Sequence, residues 1–172
     1  DPPGLTSFTR QNPGSSPTNA DALVFRATFD EAVANVDPAD FAVTGTTAAI
    51  SEVAAVTGSN GMQFDVTVSG GDLATLNGTV GLDLSAGQNI VDLAGNALPA
   101  GEPGTDEVYL VDNTAPTVDD MVPANNATGV AQTANLSITF TEEIQKGSSG
   151  SIVIKRASDD FLVETIAATG TQ

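Results

Sequence analysis

The sequence predicts an all-β protein, an antiparallel β-sandwich with one complete module followed by part of a second. Three observations point there. Apolar residues recur at every second position in many short runs, tight-turn residues separate the runs, and a pattern near residue 30 returns 111 residues later.

The alternating runs come first. Leu23, Phe25, Ala27 and Phe29 alternate with Val24, Arg26 and Thr28, so one face of this stretch turns inward. Met62, Phe64, Val66 and Val68 repeat the pattern, with Gln63, Asp65 and Thr67 outward. Val80, Leu82 and Leu84 form a third run, and residues 108–111 a fourth. Leu136, Ile138 and Phe140, then Ile152 and Ile154, continue the series. Residues 41–44, 48–56 and 162–167 carry the same texture more faintly. Asn60-Gly61 and Asn77-Gly78 supply the positive-φ residues of tight turns, and Pro13-Gly14, Gly70-Gly71, Pro103-Gly104 and 147–150 are further breaks. Residues 71–76 are the one candidate for a helical turn, with Asp72 as its cap. Asp37 and Asp40 in "NVDPADF" read as a turn and its cap.

The repeat sets the domain plan. "ATFDEAV" at 27–33 returns as "ITFTEEI" at 138–144, and "LTSF" at 5–8 falls on "PTVD" at 116–119. A period this long suits beads of sandwich size, not a solenoid. The expected division is a complete module over 1–111, a join at 112–115, and the N-terminal part of a second module at 116–172. Residues 1–4 read as the remnant of a preceding join, which implies a longer protein. A half sandwich has an unpaired edge, so either further chain or strand exchange with another copy is expected to complete it.

Composition narrows function. Five Lys+Arg stand against 22 Asp+Glu, a formal charge of −17, which excludes phosphate-backbone recognition and disfavours anionic membranes. No run reaches the length of a membrane span. The chain has no Cys and no His, so disulfides, thiolate zinc sites and Cys or His nucleophile–base pairs are ruled out. One Tyr and no Trp leave little for a sugar-stacking cleft, and the expectation is that the chain is not an enzyme.

Five short stretches in order carry a family resemblance. "SPTNADALVFRATFDEAVANVDPADFAVTG", "VSGGDLATLNGTVGLDL", "NIVDLAGNAL" and "VDNTAPTV" resemble the tandem bacterial immunoglobulin-like repeats of large secreted adhesins and surface proteins. "QKGSSGSIVIKRASD" in the second module resembles the related Ig-like modules of S-layer proteins. The resemblance implies an Ig-like sandwich, a secreted or cell-surface location, neighbouring modules as partners, and calcium as a frequent ligand. It implies no catalytic activity.

In such a sandwich the loop after the second strand and the loop before the last one share an end with the N-terminus. Asp30, Glu31, Asp92 and Asn96 are therefore expected to gather near Asp1 as oxygen ligands. Calcium takes six to eight oxygens in tolerant geometry, and carboxylates crowded at a tip repel unless a cation shares them. At the join, Asp112 and Asn113 are expected to meet Glu142 and Glu143 around a second ion, with Pro116 stiffening the passage. The resulting expectation is a calcium-stiffened spacer. The competing readings are a module that binds carbohydrate or a cell surface, and an accessory domain of a secreted hydrolase.

Overall fold

The computed structural model describes residues 1–145, 147 and 149–167. The chain divides into two compact units, Asp1–Thr114 and Ala115–Gln172, and the division falls inside the stretch 112–115. The fold is all-β, its only helical piece among the described residues being a single 3₁₀ turn.

Unit 1 is a sandwich of two sheets. The larger contains β1 (Leu5–Asn12), β2 (Ala22–Phe29), β5 (Ala49–Ala55), β6 (Gln63–Ser69) and the two-residue β9 (Thr105–Asp106), in the order β5-β6-β2-β1-β9. The smaller contains β4 (Phe41–Thr44), β7 (Asn77–Leu84) and β10 (Tyr109–Asp112), in the order β10-β7-β4. A short ladder of β3 (Val33–Ala34) and β8 (Val91–Asp92) closes one end. Neighbours pair antiparallel except β1 with β9.

The period-2 residues form the core, because a pleated strand sends alternate side chains to opposite faces. Leu23, Phe25, Ala27 and Phe29 of β2 are buried, as are Phe64, Val66 and Val68 of β6. Val80 and Leu82 of β7 and Tyr109 and Val111 of β10 meet them from the other sheet. Phe25 and Tyr109 lie edge to face across the sandwich at 4.9 Å, and Phe8 meets Phe41 the same way at 6.1 Å. The Tyr109 hydroxyl donates to the Val24 carbonyl at 2.8 Å and accepts from the Gln11 amide at 3.2 Å. On the outer face Arg26 and Asp65, opposite one another across β2 and β6, make a two-pronged ion pair at 2.8 and 3.0 Å.

Loops are tied by single polar residues. Asp40 is 2% exposed, and its carboxylate accepts from the amides of Asp37 and Asn89. Asp37 in turn caps the Pro38–Asp40 turn, the role expected for this pair. Residues 71–75 form turns, not a helix. Asp72 has a better use than capping: its carboxylate accepts from the Thr46 hydroxyl and the Thr47 amide, fastening a distant loop.

Unit 2 contains β11 (Val118–Val122), β12 (Ser137–Phe140), β13 (Ser151–Lys155) and β14 (Leu162–Ala167). β11 pairs with β12 and β13 with β14, giving two two-stranded antiparallel sheets. Shifted by 111 residues, β1, β2, β4 and β5 land at 116–123, 133–140, 152–155 and 160–166, overlapping these four strands in order.

Candidate functional site

The backbone brings the expected tip segments together. The Gly4 amide donates to the Asp30 carboxylate at 2.7 Å, and the Asp30 amide donates to the Gly4 carbonyl at 3.0 Å. Pairing of Val33 with Asp92 joins the loop after β2 to β8. The Asn96 side-chain amide reaches the Asp1 carbonyl at 3.4 Å.

Asp92 is 5% exposed, and its carboxylate is used within its own loop. One oxygen accepts from the amides of Ala94 and Asn96 at 2.8 and 2.7 Å, and the other accepts from the Asn96 side chain at 2.6 Å. That side-chain bond is the main reason the Asp92 carboxyl is held below the usual carboxylate range, with the backbone amides adding to it against the cost of burial. "DLAGN" is therefore a self-closed turn in which Asp92 replaces missing strand partners and Gly95 adopts φ 89°. Asp30 and Glu31 are both exposed, and they do not converge with Asp92 into a group of three carboxylates.

The join residues also have internal duties. Asp112 accepts from the Thr114 amide at 2.9 Å. The Asn113 side-chain amide donates to the carbonyls of Leu73 and Leu76 at 2.9 and 2.8 Å, and its backbone amide donates to the Asn77 side chain at 2.8 Å. Asn113 thus pins the 73–77 turn to the end of β10. Glu142 and Glu143 belong to unit 2, where Glu142 is half-buried and Glu143 exposed. Beside them, Thr141 is bound to Thr117 through both backbone and hydroxyl.

The carboxylates that do converge are others. Asp83 on β7, Glu102 and Asp106 each place an oxygen within 4.8 Å of the other two, the only such trio among the described residues. Glu102 and Asp106 come from the strap between β8 and β10, which β9 fastens to the edge of the larger sheet. Asp83 stands opposite Ala42 in the smaller sheet. The trio therefore spans the two layers at one flank of the sandwich. The carboxyls of Glu102 and Asp106 are pushed upward, by burial first and by the charge on Asp83 second. Oxygens within 4.8 Å of one another are close enough to share one cation at 2.3–2.6 Å each. No motif marks this trio in the sequence, because Asp83 and the strap carrying Glu102 and Asp106 are separate segments that only the fold brings together.

Residues 112–172 match the family model described as a bacterial Ig-like domain. The Ig-like match takes in the end of β10, the join and all of unit 2, and agrees with the all-β architecture of both units. No curated protein and no solved structure matches this chain. Among the described residues no helix is long and apolar enough to cross a membrane.

Proposed function

We propose that this chain is a non-catalytic spacer in a secreted or surface-attached bacterial protein, made of Ig-like modules in series and stiffened by calcium. The observation that carries the reading is the 111-residue repeat. All four strands of the segment matching the bacterial Ig-like domain overlap the shifted positions of strands in unit 1. Two units of one plan on one chain suit reach, not chemistry. The seven Phe and one Tyr favour a structural role over carbohydrate binding: Tyr109 and five Phe are buried, Phe140 is half-buried, and only Phe161 is exposed. The Phe161 ring already faces the Arg156 guanidinium at 5.0 Å.

Asp83, Glu102 and Asp106 are the residues that would hold the ion. Bound there, calcium neutralises mutual repulsion and ties β7 of one sheet to the strap on the other. The pulling force on such a spacer would then meet a sandwich closed at its flank.

The test is thermal unfolding of the full chain in millimolar calcium and again in chelator, with mechanical unfolding of the same chain by single-molecule force spectroscopy. Calcium is expected to raise both the midpoint and the unfolding force of unit 1. An unchanged midpoint and force would remove calcium from the proposal. Specific retention on a glycan array would replace the spacer reading with the binding one.

A further inference from the structure

Two Asn-Gly pairs occur in the chain, Asn60-Gly61 and Asn77-Gly78. Asparagine is a labile residue, most of all before glycine, whose missing Cβ leaves the amide nitrogen open. That nitrogen attacks the asparagine side-chain carbonyl carbon. Its proton passes to the side-chain nitrogen, which leaves as ammonia, and a cyclic succinimide forms. Water then opens the ring at either carbonyl, giving aspartate or isoaspartate. Isoaspartate carries an extra methylene in the main chain. The sequence needs no oxidant, metal or enzyme.

The fold treats the two pairs differently. Both asparagines are exposed, so access to water does not separate them. Asn77 and Gly78 lie in β7, paired with Asp112 and Val111 of β10. The Asn77 side-chain oxygen accepts from the Asn113 amide at 2.8 Å and from the Thr114 hydroxyl at 3.0 Å. Attack at Asn77 must first undo this ladder and both bonds. Asn60 and Gly61 are instead the central residues of a tight turn, with φ 55° and 79°. The Met62 amide closes it by donating to the Ser59 carbonyl at 3.1 Å. Among the described residues no hydrogen bond holds the Asn60 carboxamide or the Gly61 N–H. The turn also fastens its neighbours. The Gly61 carbonyl accepts from the Val33 amide at 3.0 Å, and the Met62 carbonyl accepts from the Phe29 amide at 2.9 Å. These two bonds flank the loop that carries Asp30 and Glu31.

We propose that Asn60 is a site of spontaneous modification in the folded protein, and that its conversion to isoaspartate loosens the loop of Asp30 and Glu31. Each event adds a carboxylate to this end of unit 1 and a backbone atom to a turn that closes over four residues. The carbonyls of Gly61 and Met62 then no longer meet the amides of Val33 and Phe29 together. This inference stands apart from calcium and from the spacer reading.

The experiment ages the 172-residue chain in mildly alkaline buffer, folded in one sample and unfolded in concentrated urea in another. Tandem mass spectrometry of its peptides follows deamidation at each asparagine, and isoaspartyl methyltransferase labels isoaspartate. In urea the two asparagines are expected to react at similar rates. In the folded chain Asn60 is expected to react roughly tenfold faster than Asn77 or more, since Asn77 waits on local opening of the β7–β10 ladder. The isoaspartate fraction, separated by anion exchange, is expected to show roughly tenfold faster amide exchange at Phe29 and Val33, with β10 unchanged. Freshly purified Asn60→Asp has the charge without the methylene and is expected to exchange there as the wild type does. Equal rates at the two asparagines in the folded chain overturn the proposal. So does an Asn60 that stays intact over the time in which both react in urea. Unchanged exchange in the isoaspartate fraction, or equal loosening in fresh Asn60→Asp, overturns the effect assigned to the longer backbone.

Discussion

Asp83→Asn separates the two roles of the carboxylate trio. Asp83 is the member whose charge pushes up the carboxyls of both Glu102 and Asp106, so one substitution removes two of the three repulsive pairs. At 4.8 Å in a water-like dielectric each pair costs about 0.9 kcal/mol, and physiological salt reduces that to roughly 0.5. In chelator the variant is therefore expected to gain about 1 kcal/mol. Unit 1 spans Asp1–Thr114, for which unfolding entropy gives about 4 °C per kcal/mol. In calcium at about 10 mM, a site of ordinary extracellular affinity adds roughly 1.4–2.7 kcal/mol, or about 6–11 °C, to the wild type. The variant loses most of that increment. The two proteins should thus exchange rank: Asp83→Asn melts higher in chelator and lower in calcium, as read by circular dichroism at matched ionic strength. A variant that melts lower in both buffers would show that Asp83 acts through packing. A wild type indifferent to calcium would refute the ion altogether. A calcium response that survives in Asp83→Asn would transfer the site to the carboxylates at the tip or the join.

Tyr109→Phe keeps the ring in the core but strips partners from the Val24 carbonyl and the Gln11 amide. A loss of about 1–3 kcal/mol is expected in urea unfolding with an unchanged m-value. Asn113→Ala frees the carbonyls of Leu73 and Leu76, and should cost about 1–2 kcal/mol and speed amide exchange in residues 73–77 before it affects β6. Stability should respond to acid in two opposite senses. Asp72 and Asp92 have lowered folded-state pKa values, chiefly through the Thr46 hydroxyl and the Asn96 side chain. Their contribution is present above the unfolded carboxylate pKa and is lost as pH falls through the folded one. Glu102 and Asp106 are raised, so their ionisation opposes folding as pH climbs from the unfolded toward the folded value. Asp83→Asn should flatten that second limb of a stability–pH curve and leave the acid limb in place.

Much of the architecture was legible before any coordinates. Period 2 in 23–29 and 62–68 decides which side chains turn inward, because the pleat admits no other alternation. The "NVDPADF" turn was readable for a similar reason: its capping bonds form within four residues. The repeat was legible too, since its spacing needs only the sequence. The site was far less legible. Asp92 reads as a ligand in the sequence; that its carboxylate also closes its own loop depends on amides two and four residues away, which the folded turn presents. Asn113 drew notice at the join, yet its side chain is directed to a turn some 40 residues earlier in the chain.

The sequence by itself determined the strands, their inward faces and the order in which the plan recurs, since these depend on local stereochemistry and spacing. Only the tertiary structure decided which carboxylates meet. Asp83, Glu102 and Asp106 are neighbours because a strap folds across the sandwich flank, and an oxygen's distance from another oxygen is fixed by that crossing. The exposed state of Ile138 and Ile152 is likewise a tertiary fact: an alternating strand specifies an apolar face, and what lies against that face depends on the strands beside it.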